Sequence, residues 1–220
     1  MKKFILLTLL FVFISAMMPV LADVLPMSSK SIKYYGIGVL NLPTSYTVYR
    51  YPYKESHILR EVNYENIKKS AIVNRLDMRK ISYIAHVPSE NIALLAVDLA
   101  PGNNWYSVYI NQETGETGWV YTEDENAFMT YRTLFYRYGK KYGIRFFNDL
   151  SKEEKVLYSK ENLNSQILSE VDYPKHVTFT VIRGNWMLAV VRDSAKQAKI
   201  GWFNWRNEDG TLNMFPNFRD

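Results

Sequence analysis

The sequence contains no cysteine. Disulfide bonds and a lipid-modified cysteine are therefore excluded, and an exported domain of this chain has to be stabilised by core packing alone. A cysteine nucleophile is excluded for the same reason. This removes the thiol peptidases from the activities that the chain could have.

Patterns for catalysis and metal binding are scarce as well. The three histidines, His57, His86 and His176, lie far apart and form none of the short spacings that zinc sites use. No Gly-x-Ser-x-Gly motif is present to hold a nucleophilic serine. We therefore expect no metal, no cofactor and no enzymatic activity, with a hydrolase kept as an alternative.

Long apolar runs are confined to the N-terminus. Residues 1–22 begin with two lysines, continue as an uncharged apolar run and end with small residues at Val20 and Ala22. This order is typical of a secretory signal peptide and predicts cleavage before Asp23. A retained membrane anchor stays open as an alternative, because the run is close to the shortest length that spans a bilayer.

The positive charge is modest. The leader carries two lysines and no acidic residue, so its removal lowers the formal net charge from +5 to +3. No clustered basic stripe is present, so nucleic acid is not an expected partner. Because no second long apolar segment follows, we expect a periplasmic or secreted product with no stable membrane span after cleavage.

The chain contains an internal repeat. "GNNWYSVYINQETGETGWVY" (102–121) and "RGNWMLAVVRDSAKQAKIGWFNW" (183–205) both place Gly-Asn before Trp, then a run containing Val, a polar turn and Gly-Trp. Upstream, the segments 48–62 and 156–171 share the pattern Ser-x-Ile-Leu-x-Glu-Val. Two copies of one unit therefore follow each other along the chain.

The first copy is longer than the second. Ile58 and Trp105 are 47 positions apart, whereas Ile167 and Trp186 are 19 positions apart. The difference predicts an insertion of about 28 residues in the first copy, within 63–89.

Secondary-structure patterns favour β-strands with one connecting helix. Aromatic residues three and four positions apart predict a helix in 125–143 that ends at Gly143 and packs between the two copies. A second helical pattern, 65–80, lies in the insertion. The strand pattern is short runs rich in Val, Ile, Tyr and Trp, separated by polar turns: "ISYIAHV", "NIALLAVDL", "WYSVYIN", "TGWVYT", "HVTFTVI" and "WMLAVVRD".

The order of these motifs resembles the bacterial SH3 (SH3b) repeat. That family has a strand ending in Val-Tyr, a loop, an Ile-Leu-x-x-Val segment, Gly-Asn-Trp and a closing Gly-Trp. Residues 154–206 match it better than residues 44–122, which carry the insertion and "LLAVDLAPGNNW". The resemblance implies a mainly β fold: two small SH3-like β-barrels joined by a helical segment.

The expected domain organisation follows from the repeat and the resemblance. The segments are a signal peptide (1–22), an N-terminal extension (23–43), a first SH3b-like domain (44–122), a helical linker (123–153) and a second SH3b-like domain (154–220).

Candidate binding residues are aromatic side chains beside turns. Five rings are predicted to line partly exposed grooves, three in the first copy and two in the second: Tyr51, Tyr53 and Trp105, then Trp186 and Trp205. The tryptophans of the two Gly-Trp pairs, Trp119 and Trp202, are predicted to be mainly structural. Four strand-centre residues are predicted to be buried: Val108, Val120, Leu188 and Val190.

The expected function is binding. The resemblance implies an exported, non-catalytic module that recognises peptidoglycan peptide or another ligand of the cell envelope. The alternative partner is an envelope protein, which would make the chain an interaction or assembly factor. Alternate tyrosines beside a loop suit both partners, because they offer large contact area to an extended peptide at low entropic cost.

Overall fold

The structure is a computed structural model that describes residues 32–43, 45–63, 83–87, 90–171, 178–192 and 197–218. The predicted signal peptide and the predicted helix in the insertion lie outside these residues. Within the described ranges, no helix is long and apolar enough to cross a membrane.

The first half of the chain forms a sheet of eight strands. The strands follow the order β3-β2-β7-β6-β5-β1-β8, and β4 pairs with β5 outside this path. Their bounds are β1 Gly38–Asn41, β2 Ser45–Tyr49, β3 Ile58–Asn63, β4 Tyr83–Val87, β5 Ile92–Leu99, β6 Trp105–Tyr109, β7 Thr117–Tyr121 and β8 Phe128–Thr130.

A helical segment, here called α1, connects this sheet to the second half. It consists of an α-helical turn, Tyr131–Leu134, a π-helical stretch, Phe135–Gly139, and a last α-helical turn, Lys140–Tyr142. Gly143 follows with φ of 76°, a conformation that only glycine adopts readily. The predicted end of the helix at Gly143 is confirmed.

The second half forms a five-stranded sheet with the order β11-β10-β14-β13-β12, and a two-stranded sheet of β9 and β15. The bounds are β9 Ile144–Phe146, β10 Val156–Tyr158, β11 Ile167–Glu170, β12 Thr178–Arg183, β13 Trp186–Arg192, β14 Ala198–Asn204 and β15 Met214–Pro216. The predicted mainly β class is confirmed.

The two large sheets contain the same five-strand unit. The path β3-β2-β7-β6-β5 in the first sheet corresponds, strand by strand, to β11-β10-β14-β13-β12 in the second. We call these units the first repeat and the second repeat. The tryptophans of the two copies were predicted to lie in two separate barrels, and they lie in two separate sheets.

Strand register is the same in both repeats. The residue three positions after the first tryptophan of each copy lies opposite the glycine of the Gly-Trp pair, Val108 opposite Gly118 and Ala189 opposite Gly201. A one-residue slip would exchange the core and solvent faces of a strand. An identical register therefore means that equivalent side chains face the same way in the two repeats.

Irregularities in pairing recur at the same places too. The register shifts just before Tyr49 between β2 and β3, and just before Tyr158 between β10 and β11. It shifts again just after Val97 between β5 and β6, and just after Phe179 between β12 and β13. Bulges bend a strand and increase its twist, so both repeats bend at matching positions.

The predicted closed barrels are not observed. Among the described residues, β3 does not pair with β5 in the first repeat, nor β11 with β12 in the second. The first sheet continues from β5 into β1 and β8 instead of returning to β3. Both repeats are thus curved, open sheets as far as their described pairings go.

Buried side chains among the described residues form two hydrophobic cores. One lies inside the first repeat and contains Val48, Val108 and Val120 among others. The other joins strands β1, β4 and β5 with α1 and the inner side of the second repeat. Phe135 of α1 is fully buried and contacts the ring of Phe179 at a centroid distance of 6.5 Å.

The segment α1 also reaches the first half of the chain. The Tyr131 hydroxyl donates a hydrogen bond of 2.7 Å to the carbonyl oxygen of Tyr35. Contacts on both sides confirm the predicted helix between the copies, but its predicted start is wrong. Phe128 lies in β8, which pairs with β1, so sheet pairing overrides the helical spacing of its side chain.

Segments predicted as an extension and a linker supply strands. Strand β1, within 23–43, and strand β8, within 123–153, both belong to the first sheet. Strand β9, also within 123–153, pairs with β15 near the C-terminus. The linker is therefore helical only from Tyr131 to Tyr142.

Burial of the predicted strand-centre residues differs between the two repeats. Val108 and Val120 are completely buried, as predicted. Leu188 and Val190 are only half-buried, so their predicted burial is wrong. They lie two and four positions after Trp186 and share its side of the sheet, whereas Val108 lies three positions after its tryptophan and points to the core.

Candidate ligand-binding surface

Each repeat has an outer face, defined as the side of the sheet opposite the core. The glycines of the two Gly-Trp pairs point toward the core, so the following residues, Trp119 and Trp202, point outward. A Cβ on Gly118 would lie 2.4 Å from Val48 Cγ1, and one on Gly201 would lie 2.9 Å from a strand carbonyl. Glycine thus permits close packing on one side while tryptophan occupies the outer face.

A loop borders the outer face of each repeat. The first loop, residues 50–57, follows Tyr49, and the second loop, residues 159–166, follows Tyr158. Tyr49 pairs with Trp119. The loop is therefore held beside the outward tryptophan by the strand that precedes it.

Matching hydrogen bonds shape the two loops. The backbone N–H of Tyr51 donates to Ser56 Oγ at 2.9 Å, and that of Lys160 donates to Ser165 Oγ at 3.3 Å. A serine hydroxyl that accepts from a nearby backbone N–H stabilises a tight turn. The sequence similarity Ser-x-Ile-Leu therefore reflects a shared loop conformation.

Tyr51 and Tyr53 are exposed, as predicted. Each side chain is 51% exposed, and the two rings stack at a centroid distance of 6.1 Å. The Arg50 guanidinium lies 6.0 Å from the Tyr51 ring, and Lys54 Nζ lies 4.3 Å above the ring of Tyr121. The first loop thus presents aromatic rings accompanied by positive charge.

The predicted exposure of Trp105 is wrong. Its side chain is only 7% exposed, although it lies on the outer face. The rings of Tyr49 and Tyr121 contact it at centroid distances of 5.4 Å and 5.3 Å. These two neighbouring rings bury Trp105, so it supports the surface and is not open to a ligand.

Trp186, the counterpart of Trp105, is half-buried. The ring of Tyr158 meets it edge to face at 5.5 Å. Its cross-strand partner is Asn204, where the first repeat has Tyr121. Since an amide covers less of an indole than a phenol ring does, the predicted partial exposure of Trp186 is confirmed.

The predicted exposure of Trp205 is also wrong. This side chain is 4% exposed and belongs to the core that includes α1. It packs edge to face on Phe135 at 5.2 Å and donates from Nε1 to the carbonyl oxygen of Gly184 at 3.0 Å. Trp205 follows the outward Trp202 by an odd number of positions, which puts it on the opposite side of the chain.

Trp202 lies in a groove that sequence reasoning missed. The groove has a volume of about 460 Å³, and six residues line it: Ser159, Lys160, Glu161, Asn162, Arg183 and Trp202. The Arg183 guanidinium lies 5.6 Å from the Trp202 ring, and its Nη1 donates to Glu161 Oε1 at 3.0 Å. Alternation along the strand would have indicated this position, because a core-facing Gly201 puts Trp202 on the outer face.

The far end of the outer face differs between the repeats. In the first repeat, the Tyr34 ring stacks on Tyr109 at 5.2 Å, and the Tyr34 N–H donates to Gln112 Oε1 at 2.9 Å. Burial, followed by the hydrogen bond to Asp98, raises the pKa of Tyr109. In the second repeat, the corresponding region exposes Ile200, which is 61% exposed.

No group of three or more histidine, cysteine, aspartate or glutamate side chains suited to a metal ion occurs among the described residues. His86 lies in β4 and stacks on Tyr83 at 5.3 Å. Burial lowers the pKa of His86 to about 4, so it is neutral at pH 7. The described outer faces offer a ligand aromatic rings, positively charged side chains and hydrogen-bonding groups.

Comparison of this chain with protein-family models, with curated protein sequences and with solved structures gave no match.

Proposed function

We propose that the protein is an exported, non-catalytic binding protein that recognises peptidoglycan peptide or another ligand of the cell envelope. We further propose that each repeat is a variant of the bacterial SH3 fold. Each repeat is an antiparallel five-stranded sheet with bulges, as expected of a small SH3-like unit, and this supports the second part. The predicted cleavage before Asp23 belongs to the same proposal, and N-terminal sequencing of the exported protein tests it.

One observation carries the proposal. In each repeat, the same loop lies beside an outward tryptophan on the outer face, at the junction where Tyr49 pairs with Trp119 and Tyr158 with Trp202. An aromatic surface next to a loop binds extended peptides well, because rigid rings contribute area with few rotatable bonds. The recurrence of the arrangement favours a role in binding over a role in folding alone.

Co-sedimentation with purified peptidoglycan sacculi tests the proposal. The protein should pellet with sacculi, and the double variant Tyr51→Ala/Tyr53→Ala should lose much of the binding, since an anchor ring contributes about 1–3 kcal/mol. Ile37→Ala is the matched control, because Ile37 is 49% exposed but lies outside the first loop. A protein that stays in the supernatant under all conditions would remove peptidoglycan as the ligand.

An envelope protein is the second candidate partner. Three aliphatic side chains of the second repeat are exposed at 39% to 61%: Ile167, Leu168 and Ile200. Ile200 lies two positions before Trp202 in β14 and therefore shares its face of the sheet, and a continuous exposed apolar patch is typical of protein interfaces. If this candidate is correct, Ile200→Glu should abolish co-purification of a specific envelope protein and leave sedimentation with sacculi unchanged.

A further inference from the structure

The groove beside Trp202 has a specific charge arrangement. One wall is the start of the second loop, with Lys160 and Glu161, and the other is the end of β12, with Arg183. Trp202 lies between them on the outer face. The groove therefore combines an aromatic ring with two positive charges and one negative charge.

The Arg183 guanidinium is held in one orientation, but only part of its hydrogen-bonding capacity is engaged. The aromatic ring and the bond to Glu161 hold the guanidinium in place. A guanidinium has five N–H donors, and Glu161 takes one of them among the described residues. The Arg183 side chain is 66% exposed, so its remaining donors are accessible from solvent.

The ion pair between Arg183 and Glu161 can be replaced by an ion pair between Arg183 and a ligand. The Glu161 side chain is 33% exposed and that of Arg183 is 66% exposed, so water screens the pair and it adds little to stability. A ligand carboxylate can therefore replace Glu161 at small cost. The planar fork of arginine matches a carboxylate in two parallel hydrogen bonds.

We propose that this groove binds a carboxylate group of the peptide ligand, which Arg183 holds in place of Glu161. The inference rests on the proposed function and adds the chemical class that the second repeat recognises. A ligand ammonium is disfavoured, because Arg183 already covers the Trp202 ring and Lys160 adds a second positive charge.

The first repeat does not carry this arrangement. By strand register, Pro101 takes the place of Arg183, and by loop position Pro52 takes the place of Glu161. Neither proline side chain has a charge or a donor. Carboxylate recognition is thus assigned to the second repeat alone.

Isothermal titration calorimetry with a synthetic stem pentapeptide tests the inference. The peptide is used with a free C-terminal carboxylate and as the C-terminal amide. The wild-type protein should bind the free acid about tenfold more tightly than the amide, the effect of one charge-assisted contact. Arg183→Gln should abolish this tenfold difference, so that the free acid and the amide bind with equal affinity.

Glu161→Gln separates recognition from a structural role. It removes the competitor for Arg183, so the free acid should bind about two- to fivefold more tightly. A merely structural ion pair would make Arg183→Gln and Glu161→Gln weaken binding alike. Arg132→Gln is the matched control, since Arg132 also lies over a ring, that of Tyr136 at 5.8 Å, but outside the groove, and it should change nothing.

The outcomes distinguish this inference from the proposed function. Equal binding of the free acid and the amide overturns carboxylate recognition and leaves peptide binding standing. Binding to sacculi without binding of either peptide overturns the inference while peptidoglycan remains the ligand. Absence of binding to both sacculi and peptides overturns the inference and the peptidoglycan proposal together.

Discussion

The two repeats share a backbone plan and differ in what covers their outer faces. Trp105 and Trp186 occupy equivalent positions, yet Trp105 is buried under Tyr49 and Tyr121, whereas Trp186 is half-buried beside Tyr158. The difference arises at one cross-strand position, Tyr121 in the first repeat and Asn204 in the second. Core-facing residues and glycines therefore determine the fold, while outward residues give each repeat its own surface.

The surfaces beside the two loops differ in chemistry as well. The first loop presents stacked tyrosines with Arg50 and Lys54 close to aromatic rings. The second loop borders a groove in which the Arg183 guanidinium lies over the Trp202 ring and donates a hydrogen bond to Glu161. The duplicated unit thus carries two unlike sites in the same structural position.

The largest expected effect concerns the equivalent tryptophans. Trp105→Ala should lower the free energy of unfolding by about 3–5 kcal/mol, because it removes a buried ring. Trp186→Ala should cost about 1–2 kcal/mol, because only part of its surface is buried. Chemical denaturation of both variants measures the difference. Equal losses of stability in the two variants would show that Tyr121 does not make the surroundings of Trp105 different from those of Trp186.

Substitutions of Trp205 and Tyr51 should separate a predicted site residue that lies in the core from one that lies on the surface. Trp205→Ala should cost about 3–5 kcal/mol of stability, since the ring packs against α1. Tyr51→Ala should change stability by less than about 0.5 kcal/mol, as is usual for exposed side chains, and should weaken binding instead. Thermal melts together with binding isotherms separate these effects, and a strong loss of stability in Tyr51→Ala would contradict the account.

A pH effect on stability should come from His86 in the first half of the chain. Burial lowers the pKa of His86 from 6.5 to about 4, so between these pH values the unfolded chain binds a proton that the folded chain does not. Stability should therefore fall as the pH decreases from 6.5 to 4, by about 3 kcal/mol from this group. Urea denaturation at several pH values should show that loss in the wild type.

Two variants isolate the contribution of His86. His86→Phe should flatten the loss between pH 6.5 and pH 4, because phenylalanine binds no proton and can keep the ring contact with Tyr83. His57→Gln serves as the matched control for loss of a histidine, because His57 is exposed in the first loop. The same slope in His86→Phe and the wild type would show that another group titrates.

The glycines of the Gly-Trp pairs should respond similarly in both repeats. An added Cβ meets Val48 at 2.4 Å in Gly118→Ala, and it meets the carbonyl oxygen of Tyr158 at 2.9 Å in Gly201→Ala. Each substitution should cost about 1–3 kcal/mol through overpacking. Gly102→Ala serves as a contrast, because nothing lies within 4 Å of its Cβ position and any cost comes from its φ of +88°. A neutral result at Gly118 or Gly201 would contradict the described close packing.

The smallest expected difference concerns the loop serines. Ser56→Ala should cost about 1 kcal/mol, because Ser56 is buried and accepts a hydrogen bond of 2.9 Å. Ser165→Ala should cost about half as much, since Ser165 is less buried and its bond is 3.3 Å long. Thermal unfolding resolves such shifts. A larger loss of stability in Ser165→Ala than in Ser56→Ala would contradict the inference that the serine hydrogen bond of the first loop is the stronger one.

Local patterns in the sequence predicted much of the fold. The strands that carry the repeat were recognisable because β-branched and aromatic residues form short runs between turns. Strand β8 was missed because its pairing with β1 joins residues far apart in the chain, and helical spacing of its aromatic residue favoured a helix. Closure of the sheets likewise depends on long-range pairing that residue order does not encode locally.

The candidate site was only partly predictable. Exposure of Tyr51 and Tyr53 followed from their position beside a loop, but burial of Trp105 depends on rings from two other strands. The contact between Arg183 and Glu161 joins residues 22 positions apart, and no local pattern indicates it. Register alone would have shown that Trp202 faces outward, once Gly201 was assigned to the core side.

The central claim is that ligand binds the outer faces beside Trp119 and Trp202. The chain has five tryptophans, and each indole N–H gives its own signal in a nitrogen–proton NMR spectrum. Addition of soluble peptidoglycan fragments should shift the signals of Trp119 and Trp202 and leave those of the buried Trp105 and Trp205 unchanged. Shifts confined to Trp105 and Trp205, with Trp119 and Trp202 unaffected, would contradict the account.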